Sequence, residues 1–228
     1  MRGLKKYLNH VFIDGLSGMA QGLFCTLIVG TIIQQIGNLI GGEIGNYLFL
    51  FGKFAAAVTG AGIGVGVAYR FKESPLVVIS AAVAGMVGAF AGNITSGTIM
   101  NDTQAMILSG PGEPLGAFIA AYIGIEIGHL VSGKTKLDIL VTPICSILSG
   151  SAVGILVGPP ISKFMNSLGM MINWGTEQQP FLMGIVVSVL MGMILTLPIS
   201  SAALGIILNL SGLAAGAATV GCCCNMVG

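Results

Sequence analysis

An all-α, polytopic transmembrane helix bundle is what this sequence predicts. Three observations carry the prediction: a scarcity of charge, apolar runs of bilayer-spanning length, and basic residues confined to alternate connections. Only 7% of the 228 residues are charged and 54% are hydrophobic, where a soluble domain carries roughly 25% charge. A chain folded in water sends apolar surface inward and keeps its outside wet, and this one lacks the ions for that. In lipid the requirement disappears.

The apolar runs cover residues 11–40, 47–69, 75–91, 115–131, 139–157, 181–197 and, more loosely, 202–220. A helical span needs about 20 such residues, so about seven hydrophobic segments are expected. The first is long enough to tilt or break, and Gln34 and Gln35 place its last turns outside the hydrocarbon. The basic start, Met1 to His10, reads as the flank of an uncleaved first span, because Asp14 and Gln21 interrupt the run and no small-residue cleavage site follows. Two stretches are not simple spans. Residues 93–112 are rich in Asn, Thr, Ser and Gly, and residues 159–180 mix Met, Asn, Gly and Gln. Each is compatible with an external loop, a re-entrant hairpin or an interfacial helix. Residues 1–228 read as a single transmembrane domain.

Charge tests this map. Arg2, Lys5 and Lys6 precede the first run, Arg70 and Lys72 follow the second, and Lys134 and Lys136 follow the fourth. The intervening connections hold Lys163 and, at a span margin, Lys53. Such alternation predicts a cytoplasmic amino terminus. Glycine supplies 36 residues, about twice the usual share. Pairs four apart recur at Gly18/Gly22, Gly60/Gly64, Gly62/Gly66, Gly88/Gly92, Gly124/Gly128 and Gly150/Gly154/Gly158, a spacing that puts small residues on one helix face for close packing.

Several chemistries are not expected. A formal net charge of +1 gives no basic field for nucleic acid. Cys25, Cys145 and the run Cys222 to Cys224 lack metal or disulfide spacing, since neighbours on a helix point about 100° apart. No metal site and no cofactor is predicted. Residues 128–135, GHLVSGKT, match the letters of a phosphate loop, but the first half finishes an apolar helix and no strand precedes it.

The candidate site is built from polar residues that lipid should exclude. Glu126 lies inside the fourth run, and Tyr122, Glu126 and His129, spaced four and three, share one helix face. A charge in the hydrocarbon costs about 2.5–3.5 kcal/mol on insertion scales, so Glu126 either lines a solute path or pairs with a neighbouring helix. In GPGEPLGA, residues 110–117, Pro114 suits the first helical position and Glu113 meets the positive end of the helix dipole. Glu113 is thus a cap or an acceptor for solute hydroxyls. Asn101, Asp102 and Gln104 precede it and are candidates for the same mouth. Thr196, Ser200 and Ser201 flank Pro198, where a proline in an apolar run frees a carbonyl upstream and serines can satisfy backbone or bind a ligand.

Four motifs in order, GPGEPLGA, SGKTKLDILVTP (132–143), MGMILTLPISSAALG (191–205) and SGLAAGAATVGCCCNMVG (211–228), resemble the type 2 enzyme IIC permeases of the bacterial phosphotransferase system. Some members of that family are named as toxin regulators, a role no residue here supports. The resemblance covers essentially the whole chain. It implies a multi-pass permease of the bacterial plasma membrane, likened to a homodimer that moves a small solute, a sugar, with separate soluble IIA and IIB phosphocarriers. Family members run on past residue 228, so the chain is expected to be incomplete at its carboxyl end. The 196–201 segment differs from the substrate motif of fructose-type relatives, so a region carries over rather than sugar contacts. Two other readings stay open: a phosphorylation-independent, ion- or proton-coupled transporter or channel using Glu126, and a membrane sensor acting through a partner docked at residues 132–138.

Overall fold

The structure, a computed structural model, describes residues 10–100, 105, 106, 108, 110–195 and 210–227. The expected all-α architecture is present, in ten α-helices among the described residues. They are α1 (Leu16–Leu23), α2 (Val29–Ile40), α3 (Gly42–Ala57), α4 (Thr59–Arg70), α5 (Pro75–Ala89), α6 (Ala91–Thr95), α7 (Pro114–Val131), α8 (Asp138–Gln178), α9 (Pro180–Leu195) and α10 (Gly212–Val227). π-Helical stretches precede α1 (His10–Gly15) and join it to α2 (Phe24–Ile28), so the first expected run is one helical rod.

Among the described residues three helices are long and apolar enough to cross a bilayer: Ile13–Ile40, Pro114–Val131 and Asp138–Ile161. The pair α3 and α4 qualifies as a fourth if counted together, bent by 54° at Val58. Three shorter apolar helices among the described residues are Pro75–Ala89, Pro180–Met193 and Gly212–Cys224. The helix ends follow local chemistry. Gly41 and Gly42, with φ of +66° and +65°, turn α2 into α3 through a left-handed conformation that glycine adopts freely. Pro75 and Pro114 occupy first-turn positions of α5 and α7, where a missing N–H costs nothing.

Residues 159–180, open between three readings, are helical as far as Gln178, with Pro159 and Pro160 inside α8. In lipid an unsatisfied backbone group costs several kcal/mol, and a helix that loses two bonds at prolines loses fewer than a loop would. Within 93–112 the described part holds α6, a turn and an isolated antiparallel bridge between Met100 and Met106.

Contacts divide the chain at Pro159/Pro160 into two compact units. In the first, α4 packs on α1, α5 and α7, α5 packs on α7, and α2 packs on α3. Its core is mostly small: Ala68, Ala81, Ala84, Ala117, Ala120 and Ala121 are fully buried around Leu23, Ile63, Val67, Val77 and Ile125. The expected glycine faces meet one another. A Cβ at Gly18 would lie 2.7 Å from the Gly66 carbonyl oxygen, one at Gly60 2.7 Å from that of Gly85, and one at Gly88 2.5 Å from that of Gly116. Close approach then brings a polar bond across the helices, the Ser146 hydroxyl donating to the Gly124 carbonyl at 2.8 Å. The predicted pair Gly88/Gly92 is split, since nothing lies within 4 Å of a Cβ at Gly92. In the second unit α9 packs on α10 around Val187, Met191 and Ala218. Large apolar side chains elsewhere stay outside, Leu39 at 86% and Phe181 at 80% exposure among them, as lipid solvation allows.

Candidate functional site

Helix α7 carries both described members of the predicted site. At its amino end Gly112 adopts φ +72°, and a Cβ there would sit 2.8 Å from the Ala89 carbonyl oxygen. That close approach lets the Glu113 N–H donate to Ala89 O at 2.8 Å. The Glu113 carboxylate then turns back on its own helix and accepts from the backbone N–H of Leu115, at 3.1 Å, and of Gly116. Two of the four orphan donors of the first turn are thereby satisfied. The capping reading of Glu113 is what the geometry displays. Burial pushes its carboxyl above the usual carboxylate range, and the Gly116 and Leu115 N–H groups pull only partly the other way.

Glu126 lies on α7 near the opposite end. At 1.5 Å rise per residue, the two carboxylates stand about 20 Å apart along the helix. A single sugar cannot touch both, so any shared role is at two points along one path. Glu126 is half-buried, and its carboxylate has no hydrogen bond or ion pair among the described residues.

Its predicted companions meet the turn between α4 and α5. The Tyr122 ring, buried, stands edge-on to Phe71 with centroids 6.1 Å apart and stacks on Phe118 at 6.2 Å. His129 Nδ1 approaches Glu73 Oε2 at 3.0 Å. One turn further on, the Ser74 and Ser132 hydroxyls lie 3.1 Å apart. From the other side Asp14 Oδ1 approaches Arg70 Nε at 3.7 Å and Asp14 Oδ2 approaches His10 at 3.9 Å. The His10 ring stacks on Phe71 with centroids 3.9 Å apart. Three connections that charge alternation assigned to one side are therefore gathered at one end of the unit.

Around that turn lies an open cavity of about 600 Å³ lined by Asp14, Tyr69, Arg70, Lys72 and Glu73. Sequence reasoning did not single it out as a site. Asp14 inside an apolar run was the available signal, but its pairing with Arg70 spans more than fifty residues. In the connection after α7, Asp138 accepts from the Gly133 N–H at 2.9 Å and the Thr142 hydroxyl at 2.6 Å, which closes residues 133–138 into a compact cap. Asn101, Asp102, Gln104, Thr196, Ser200 and Ser201 lie outside the described residues. Among the described residues no three His, Cys, Asp or Glu side chains cluster as a metal site requires, and the five cysteines are unpaired.

Long apolar helices packed through glycine define a multi-pass membrane protein. The family model described as phosphotransferase system, EIIC, matches residues 13–228, and the chain belongs to that family. It is a permease of phosphotransferase type, a class whose substrates are in general sugars and whose partners are IIA and IIB proteins. No curated protein and no solved structure matches the chain.

Proposed function

We propose that this chain is the sugar-translocating IIC component of a phosphotransferase system and works with IIA and IIB phosphocarriers. It works as a homodimer in a bacterial plasma membrane with its amino terminus in the cytoplasm. The observation that carries the reading is the family match across residues 13–228. The gathering of the His10–Asp14, Arg70–Ser74 and Ser132 segments at one end supports the orientation, because basic connections stay inside.

On this orientation Glu113 faces the outer mouth and Glu126 lies toward the cytoplasmic end. Each Glu113 oxygen takes one backbone N–H and keeps acceptor capacity for a sugar hydroxyl. Asn101, Asp102, Gln104, Thr196, Ser200 and Ser201 are further candidate solute ligands by residue type. Glu126 waits near the side where a phosphorylated IIB protein supplies phosphate. The chain's own part is to orient one hydroxyl toward that donor and to keep water away from it.

Membrane vesicles carrying the chain, loaded with phosphoenolpyruvate and soluble phosphocarriers, test this with a panel of labelled hexoses and hexitols. Internal label is expected as sugar phosphate, and a Glu126→Gln variant is expected to be impaired. Wild-type transport by that variant removes Glu126 from the path. That the Glu126 carboxylate has no partner among the described residues also favours a second reading, proton-coupled uptake without phosphorylation. That alternative predicts uptake driven by an imposed pH gradient alone.

A further inference from the structure

We propose that the cavity at the α4–α5 turn is a binding site for the headgroup of an aminophospholipid, with its phosphate held by Lys72 and Arg70 and its ammonium by the carboxylates of Asp14 and Glu73. The inference rests on the membrane fold and not on the transported solute. Its first support is composition. Two cations and two carboxylates line one open cavity of about 600 Å³, a charge pattern complementary to a group bearing phosphate and ammonium together.

The second support is how these side chains are committed. Arg70 meets Asp14 through Nε, which leaves the outer N–H groups of its guanidinium fork for another acceptor. Glu73 meets His129 through Oε2, leaving Oε1. The Lys72 ammonium is in no ion pair among the described residues.

The third is backbone. Lys72 has φ +59° and is the one non-glycine residue in the left-handed region among the described residues. It ends α4 with its N–H donating to Tyr69 O at 3.0 Å, while the Glu73 N–H reaches back to Ala68 O at 3.1 Å. Glycine is the ordinary occupant of that position. A lysine held there against its preference points to use of its charge.

Location selects a lipid over a soluble anion. The turn joins the end of the bent span Gly42–Arg70 to the apolar helix Pro75–Ala89, which is headgroup level in a bilayer. Tyr69, 74% exposed, lines the cavity, and Ile13 beside Asp14 is 43% exposed. Both offer apolar surface to acyl chains. Two lining carboxylates disfavour a headgroup with negative charge alone.

Native mass spectrometry of the purified chain, titrated with phosphatidylethanolamine or phosphatidylglycerol, tests the site. Phosphatidylethanolamine is expected to bind about tenfold more tightly, and Lys72→Gly to weaken it about tenfold, the size of one charged hydrogen bond. The same variant should melt no lower than wild type, because glycine suits the backbone. Lys72→Asn, also tolerant of that conformation, serves as a second charge deletion. Millimolar inorganic phosphate should not displace the lipid. Equal binding of the two lipids, wild-type binding by both Lys72 variants, or displacement by phosphate would each overturn the proposal.

Discussion

Replacing Glu113 separates its two proposed roles, because the cap and the sugar acceptor respond differently to one substitution series. Glu113→Ala removes the acceptor for the Leu115 and Gly116 N–H groups. Loss of an N-cap side chain costs typically about 1 kcal/mol. A half-buried N–H left without a partner adds on the order of 1 kcal/mol, so a loss of about 2 kcal/mol is expected. Glu113→Gln keeps a carbonyl oxygen at the cap and should fall within about 1 kcal/mol of wild type, the size of the charge–dipole term. Unfolding in mixed micelles measures both. Burial raises the Glu113 pKa, so the native state binds its proton more tightly than the unfolded state. That contribution to stability is fully present below the unfolded pKa and is lost as pH rises through the folded one. The stability of wild type relative to Glu113→Gln should therefore increase as pH falls from neutral through the carboxylate range. An alanine variant as stable as wild type would refute the capping argument, and a difference that is flat with pH would refute the dominance of burial over the cap. A glutamine variant that folds normally but loses uptake would assign the carboxylate to the solute.

Gly88→Ala should destabilise by about 1–3 kcal/mol through overpacking, since its Cβ would meet Ala120 Cβ and Gly116 O at 2.5 Å. Gly92→Ala meets nothing within 4 Å and should be neutral or slightly stabilising by helix propensity, a contrast the same unfolding assay reads. Ser146→Ala, which removes the buried bond to Gly124 O, should cost about 0.6 kcal/mol, the average for hydrogen bonds between membrane helices. In a cysteine-free background, Ser74→Cys with Ser132→Cys should form a disulfide under mild oxidation, because the hydroxyls lie 3.1 Å apart. Failure to cross-link would break the grouping of the two connections at one end.

The parts of this fold that were readable are those fixed by local chemistry. Pro75 and Pro114 announce the starts of α5 and α7, and apolar runs announce the spans. Four-residue glycine spacing marks a close-packed face but not its partner. Gly18 was legible as a contact, whereas its apposition to Gly66 depends on how α1 and α4 dock. The same limit explains Gly88 and Gly92, which look alike in sequence and differ in what stands opposite. Residues 159–180 stayed open between three readings because prolines and amides mark loops in water, while the bilayer penalises a broken backbone more than a proline in a helix. Glu113 was legible as a cap from Pro114 and the dipole. The cluster of Asp14, Arg70 and Glu73 was not, since its contacts join residues far apart in the chain.

The central claim is phosphorylation-coupled entry of a sugar, and the chemical state of the internal solute tests it most directly. Vesicles containing the chain are given labelled sugar with and without internal phosphoenolpyruvate and the soluble phosphocarriers. The account predicts that label accumulates as sugar phosphate and only when the phosphoryl donor chain is complete. Accumulation of unmodified sugar against a gradient in its absence would contradict it.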